Sequence, residues 1–167
     1  MMAELEIKKF DLWMAKDLSE LSKNEQNRAF LPDEVFETEA DARAAIEMFI
    51  ERYRSGLSPQ VYALVERDTG RLTGHVEAVM LRDGSWEVGF HIGESFRGRG
   101  YAREGLAMFI PFITDRLGID ELWGICLEEN IGSCRVLEGC GFELWFCGEG
   151  IYQGKSRKIR KYRKNGR

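Results

Sequence analysis

The stretch Ile92-Gly93-Glu94-Ser95-Phe96-Arg97-Gly98-Arg99-Gly100-Tyr101-Ala102 decides how the rest of the chain is read. Strand-like alternation ends at Ile92, and a loop with glycines at 98 and 100 follows. Helical spacing then begins at once, with Ala102, Leu106, Phe109, Ile110, Ile113 and Leu117 on one face. Such a junction converges backbone N–H groups at a helix N-terminus, where the macrodipole favours an anion. Glycine lets the backbone approach a pyrophosphate closely, and Arg97 and Arg99 add positive charge. The loop lacks the Gly-Lys-Ser/Thr ending of a Walker loop. Gly98-Arg99-Gly100-Tyr101-Ala102-Arg103 also lacks the third glycine of the dinucleotide-binding fingerprint. By itself the junction fits a plain tight turn equally well.

Working outward, the region upstream reads as a β-meander. Val61–Val65, Leu72–Leu81 and Ser85–Ile92 are strands, with turns at Asp68-Thr69-Gly70 and Arg82-Asp83-Gly84. Downstream, Glu121–Cys126 is a strand, Ile131–Cys140 a helix and Phe142–Cys147 a strand, with a last strand between Tyr152 and Tyr162. Pro111 removes a hydrogen bond inside the helix from about Gly100 to Leu117 and should kink it. At the other end, Leu5–Phe10 reads as a strand and Trp13 to about Gln26 as one helix, with apolar residues at 14, 18 and 21. A further helix starts at Thr38, three residues before Asp41, and stops near Ser55-Gly56. The order β-α-α-β-β-β-α-β-α-β-β predicts a mixed α/β fold with one central sheet and helices on its faces.

The 167 residues, 44% hydrophobic and 31% charged, suit a single globular domain over 1–167. No apolar run approaches the roughly 20 residues that span a bilayer. Met1-Met2-Ala3-Glu4-Leu5-Glu6 lacks a signal-peptide layout, so a cytoplasmic address without membrane attachment is expected. Cys126, Cys134, Cys140 and Cys147 contain no Cys-x-x-Cys pair, and His75 and His91 are distant, so no metal site is expected. All four cysteines read as reduced, buried, small hydrophobes. The net charge of −4 hides an asymmetry. Lys155, Arg157, Lys158, Arg160, Lys161, Arg163, Lys164 and Arg167 follow the last acid, Glu149, leaving 16 basic against 28 acidic residues before them. An acidic body favours cationic substrates and disfavours nucleic acid. Equally, the basic end can simply neutralise the body it folds against.

Arg97-Gly98-Arg99-Gly100-Tyr101-Ala102 fits the [Q/R]-x-x-G-x-[G/A] signature of the GNAT superfamily of N-acetyltransferases. Asn130-Ile131-Gly132-Ser133 and Leu137-Glu138-Gly139-Cys140-Gly141-Phe142 resemble that family's N-x-x-S and L-E-K-x-G-F elements, with Gly139 where lysine is usual. Glu87-Val88-Gly89-Phe90-His91-Ile92 resembles a strand of the subfamily that includes ribosomal-protein N-terminal and spermidine acetyltransferases, and Gly70-Arg71-Leu72-Thr73-Gly74 resembles the hairpin before it. The resemblance implies a mixed, mostly antiparallel sheet, splayed at its middle strands, with helices on both faces. It implies acetyl-CoA as co-substrate, with pantetheine in the gap between the Glu87–Ile92 and Glu121–Cys126 strands. Backbone N–H groups at His91 and Ile92 would bind pantetheine and the developing oxyanion. The loop of Arg97, Gly98, Arg99, Gly100, Tyr101 and Ala102 would hold the pyrophosphate, and Asn130 would contact the cofactor's arm.

The resemblance also implies direct attack of an amine on the thioester in a ternary complex. Glu87, Gly89 and His91 share one strand face. Gly89 leaves room there for an incoming group, and Glu87 is the candidate base or else a structural carboxylate. Ser133 stands where the subfamily has a serine and is the candidate proton donor to the thiolate or else a helix cap. The tyrosine many members place seven residues after the asparagine is Leu137 here, and Cys134 reads as structural. His75 and Glu77 share a face that can line an acceptor pocket, and Phe30-Leu31-Pro32 lies in the loop that covers it in the family. The family's aspartate near the last hairpin is absent from Tyr152-Gln153-Gly154-Lys155-Ser156-Arg157. The expected activity is acetylation of a primary amine, either a protein N-terminus or a polyamine-like small molecule. The alternative is a catalytically silent acyl-CoA-binding domain. The number of copies stays open, a homodimer included.

Overall fold

The computed structural model describes residues 3–165; Met1, Met2 and Arg167, read above, lie outside the described residues. The described residues form seven strands in the expected order and five α-helices, one more than expected. They are β1 (Leu5–Lys9), α1 (Ala15–Ser22), α2 (Glu25–Phe30), α3 (Glu39–Ser55), β2 (Gln60–Glu66), β3 (Leu72–Met80), β4 (Trp86–Ile92), α4 (Tyr101–Leu117), β5 (Glu121–Leu127), α5 (Ile131–Gly139), β6 (Glu143–Tyr152) and β7 (Lys155–Asn165). Short 3-10 turns cover Leu12–Met14, Pro32–Glu34 and Glu94–Phe96. The expected capping box is present at α3, where Thr38 and Asp41 bond each other's backbone N–H, and Gly56 closes the helix in the left-handed region. α4 runs unbroken through Pro111. Among the described residues, no helix is long and apolar enough to cross a membrane.

The sheet order is β1-β2-β3-β4-β5-β7-β6. Every neighbouring pair is antiparallel except β4 and β5, which run parallel and pair only at Trp86↔Leu122 and Glu87↔Trp123. Beyond Glu87 the two strands part, so the β5-facing edge of residues 88–92 has no ladder partner. Alternation along β2 sorts the core onto two faces. Val61, Ala63 and Val65 pack with Met14, Leu18, Ala42, Ile46 and Phe49 of the α1–α3 side. Tyr62 and Leu64 point the other way, to Phe109 and Ile113 of α4. A third cluster joins α4 and α5 to β4, β5 and β7 through Val88, Leu106, Ile110, Leu122, Leu137 and Tyr162.

Three expectations change. The helix expected from Trp13 to Gln26 is two helices. Asn24 breaks it by accepting a hydrogen bond from Asn27 N at 2.8 Å and so starting α2. β6 runs on to Tyr152, well past Cys147. Gly148 and Gly150 hid the strand by interrupting its side-chain pattern, yet both fit it sterically, because Phe146 and Ile159 fill the space their side chains would take. Gln153 and Gly154, both at positive φ, then close a two-residue hairpin. Finally, only Cys126 and Cys134 are buried; Cys140 is half-buried and Cys147 is exposed on the edge strand.

Candidate active site

Two cavities meet where β4 and β5 part. The first, about 350 Å³, lies before the N-terminus of α4 and is lined by His91, Ile92, Arg97, Gly98, Gly100, Tyr101, Ala102, Asn130 and Ser133 among others. Gly98 and Gly100 have φ of 79° and 77°, which L side chains rarely adopt, and a Cβ on either would meet no protein atom within 4 Å. Gly100 is also the N-cap of α4 and supplies no side-chain acceptor, so the first N–H groups of the helix are left for a ligand. An open, left-handed glycine loop ending in an uncapped helix, with Arg97 and Arg103 in the wall, fits a pyrophosphate. Arg103 was not singled out from sequence. Its side chain lies over Gly139, where a Cβ would come within 3.2 Å of Nε. That packing accounts for glycine at a position where the resembling family carries lysine.

Not every loop residue faces this cavity. Arg99 turns away, its Nη1 donating to Glu66 Oε2 at 3.2 Å and its guanidinium stacking over Phe96 and Tyr101, and it does not line the wall. Tyr101 lines it with its ring, but its hydroxyl donates to the same Glu66 oxygen at 2.8 Å. Both therefore brace the loop against β2.

The second cavity, about 340 Å³, is lined by Glu34, Glu77, Glu87, Gly89, Cys126, Leu137 and Tyr152, and shares Leu31, Phe90, Asn130 and Ser133 with the first. Burial, aided by the neighbouring Glu77, pushes the Glu87 carboxyl up to about 7. Burial and Glu77 likewise hold Glu34 well above the usual carboxylate range. The space over Gly89 is not open for an incoming group: Glu77, directly across in register, fills it, and a Cβ there would lie 2.7 Å from Glu77 Oε1. Glu77 lines the cavity, whereas His75 sits behind it with Nε2 3.6 Å from Glu34 Oε2. His91 is buried beside His75 and accepts from Asn27 Nδ2 at 2.7 Å; burial lowers its pKa to about 3, so its ring is neutral. Phe30 lines the first cavity, Leu31 both, and Glu34 of the 3-10 turn that follows lines the second.

Glu34 and Tyr152 had no signal in sequence, since one sits in a loop and the other at a hairpin. Tyr152 donates to Phe30 O at 3.4 Å, which pins the hairpin tip over the cavity, and burial raises its phenol to about 12. Leu137 is 2% exposed and packs its methyls where a side chain on Gly124 would be, so it belongs to the core as well as to the cavity wall. Part of the basic end is neutralised locally, through Arg157–Glu129 at 2.9 Å and Arg163–Glu121 at 2.8 Å.

Helix capping at α5 falls to Asn130, whose Oδ1 accepts from Ser133 N at 3.3 Å. Ser133 is not the cap; it is half-buried and lines both cavities. Asn130→Ala is therefore expected to cost about 0.5–2 kcal/mol of stability. Ser133→Ala should leave the denaturation midpoint nearly unchanged and lower kcat and kcat/KM together. Urea melts and steady-state kinetics on both variants check this.

Residues 5–143 match the family described as an acetyltransferase (GNAT) domain. A curated relative, the FsC-acetyl coenzyme A-N(2)-transacetylase of Aspergillus fumigatus, is 36% identical over 55 residues, which is 33% of this chain and 23% of that protein. The matched part thus spans under a quarter of that relative's length. Among solved structures, an acetyltransferase of the GNAT family from Bacillus anthracis superposes with a TM-score of 0.81 at 19% identity, covering 99% of this chain and 97% of that one. The ribosomal L7/L12 alpha-N-protein acetyltransferase RimL, in complex with coenzyme A, gives 0.80 at 19% identity, covering 98% and 95%.

Proposed function

The chain belongs to the GNAT acetyltransferases, which transfer an acetyl group from acetyl-CoA to an amine, and from that premise we propose that this enzyme acetylates the α-amine of a polypeptide by direct attack in a ternary complex. The observation that carries the choice of acceptor is Glu87, a carboxyl raised to about 7 inside the second cavity. A base works best when its pKa lies near the operating pH. Proton transfer from an α-ammonium, pKa about 8, is nearly matched to Glu87, whereas from a lysine-like ammonium near 10.4 it is uphill by roughly three units. The relative and the neighbour named above act on an N(2) position and on a protein α-amine respectively, which agrees with this reading.

Bound acetyl-CoA supplies the activated thioester; the rest is the work of the chain. Arg97, Gly98, Gly100, Ala102 and the amides opening α4 hold the pyrophosphate, with Asn130 along the cofactor's arm. At the unpaired edge of β4, Ile92 offers its backbone N–H to pantetheine and to the carbonyl oxygen as it gains charge, whereas the His91 N–H faces β3, on the same side as Gly93 N, which donates to Thr73 O at 2.8 Å. Glu77 and Glu87 attract the incoming ammonium, and Glu87 takes its proton. Ser133, at the cavity junction, is the proton donor to the departing thiolate. A thiol with pKa near 8.5 needs only modest help to leave, so Leu137 in place of tyrosine does not silence the site.

The acidic cluster of Glu34, Glu77 and Glu87 gives a specific reason to consider a polyamine. Acetyl-CoA with a panel of short peptides and spermidine, followed by product mass, decides between them. Peptides are expected to be acetylated at the α-amine, with kcat/KM rising with pH through about 7 as Glu87 ionises. Turnover of spermidine without peptides would refute the α-amine assignment.

A further inference from the structure

Cys126 on β5 and Cys134 on α5 bring their sulfurs to 2.7 Å, against about 2.0 Å in a disulfide. Both are free and buried. Each nevertheless forms the wall of a different cavity. Cys126 lines the cavity of Glu87, and Cys134 lines a surface cavity of about 280 Å³ with Glu128, Ile131, Arg135, Glu138 and Arg160. The pair thus stands between the two cavities, each thiol only 4% exposed. Arg160 lies directly across from Cys126 in register, and its Nε is buried without a hydrogen-bond partner. The Arg160 cation favours thiolate character at Cys126, the reactive form, but burial and then the neighbouring Cys134 outweigh it and hold that thiol above its ordinary range. Cys134 also sits beside Ser133 in the first turns of α5, below the Asn130 cap.

We propose that Cys126 and Cys134 form a reversible thiol–disulfide pair, which on oxidation by hydrogen peroxide locks the start of α5 to β5 and slows acetyl transfer. One thiolate attacks the peroxide, the O–O bond breaks, and a sulfenic acid and water form. The second thiol attacks the sulfenic sulfur, the S–O bond breaks and a second water leaves. Two thiols lose two electrons and two protons, and the peroxide is reduced. The S–S bond shortens the gap and shifts Ser133 and Asn130 where the two cavities join. The slowing of turnover rests on the site proposed above; bond formation does not.

The Cys140→Ser, Cys147→Ser protein, free of the less buried thiols, is treated with hydrogen peroxide and followed by intact mass, peptide mapping and acetyl transfer. Expected are loss of two hydrogens, a link between the peptides carrying residues 126 and 134, and a fall in kcat of about tenfold, since a misplacement near 1 Å can cost up to ~10²-fold. Dithiothreitol should reverse all three. Adding Cys134→Ser, or Cys134→Ala if the serine fails to fold, should abolish the response. Oxygen addition without the link, a link elsewhere, a link that leaves kcat unchanged, or the same response in the Cys134 variants would overturn the proposal. A parent inactive with every amine would instead count against the proposed function, while the mass result would still judge the disulfide.

Discussion

Replacing Glu87 with glutamine should lower kcat by roughly 10²-fold or more while leaving acetyl-CoA affinity nearly unchanged. Glutamine keeps the shape and some hydrogen bonding but cannot take the proton. The loss should shrink at high pH, where more of the amine is already neutral, and the rise in kcat/KM through about pH 7 should vanish with the group that titrates there. Stability offers an independent check. Folding raises the Glu87 pKa from its ordinary 4.5 to about 7, so the protonated form is the one the fold favours. Its contribution is complete below about pH 4.5 and is lost as pH rises through 7. The variant should lose less stability than the parent between pH 4.5 and 7, measured by urea melts. Wild-type turnover at neutral pH in the variant would reduce Glu87 to a structural carboxylate.

Replacing Gly100 with valine should remove most of the thermal stabilisation that acetyl-CoA confers. A ligand at about 100 times its Kd stabilises the native state by ~2.7 kcal/mol, so the parent's shift is large enough to read. Gly100 sits at φ 77° in the cavity wall, and no protein atom lies within 4 Å of an added Cβ. A branched side chain there meets strain of order 1–3 kcal/mol and adds bulk before the first N–H groups of α4. The apo protein should thus melt somewhat lower, and added acetyl-CoA should restore little. An undiminished shift in a folded Gly100→Val protein would show that the pyrophosphate binds elsewhere.

Local chemistry determined a good deal of this protein before any tertiary contact is considered. The capping box at Thr38, the left-handed Gly56 and the glycine turns of the meander are decided by residues a few positions apart. So is the strand–loop–helix junction ending at Gly100. Hence most of the element order and the glycine loop before α4 were legible, as was Glu87 as a face residue of its strand. What required the folded chain depends on residues distant in sequence. Glu77 claims the space over Gly89 because β3 and β4 pair in that register. Arg99 turns to Glu66, 33 positions earlier, so charge in a loop did not reveal where it points. Glu34 and Tyr152 join the cavity only because the loop after α2 meets the β6–β7 hairpin, fastened through Phe30. Glu87 owes its pKa to that enclosure and to Glu77, because desolvation and a like charge are properties of the assembled cavity and not of any segment of sequence.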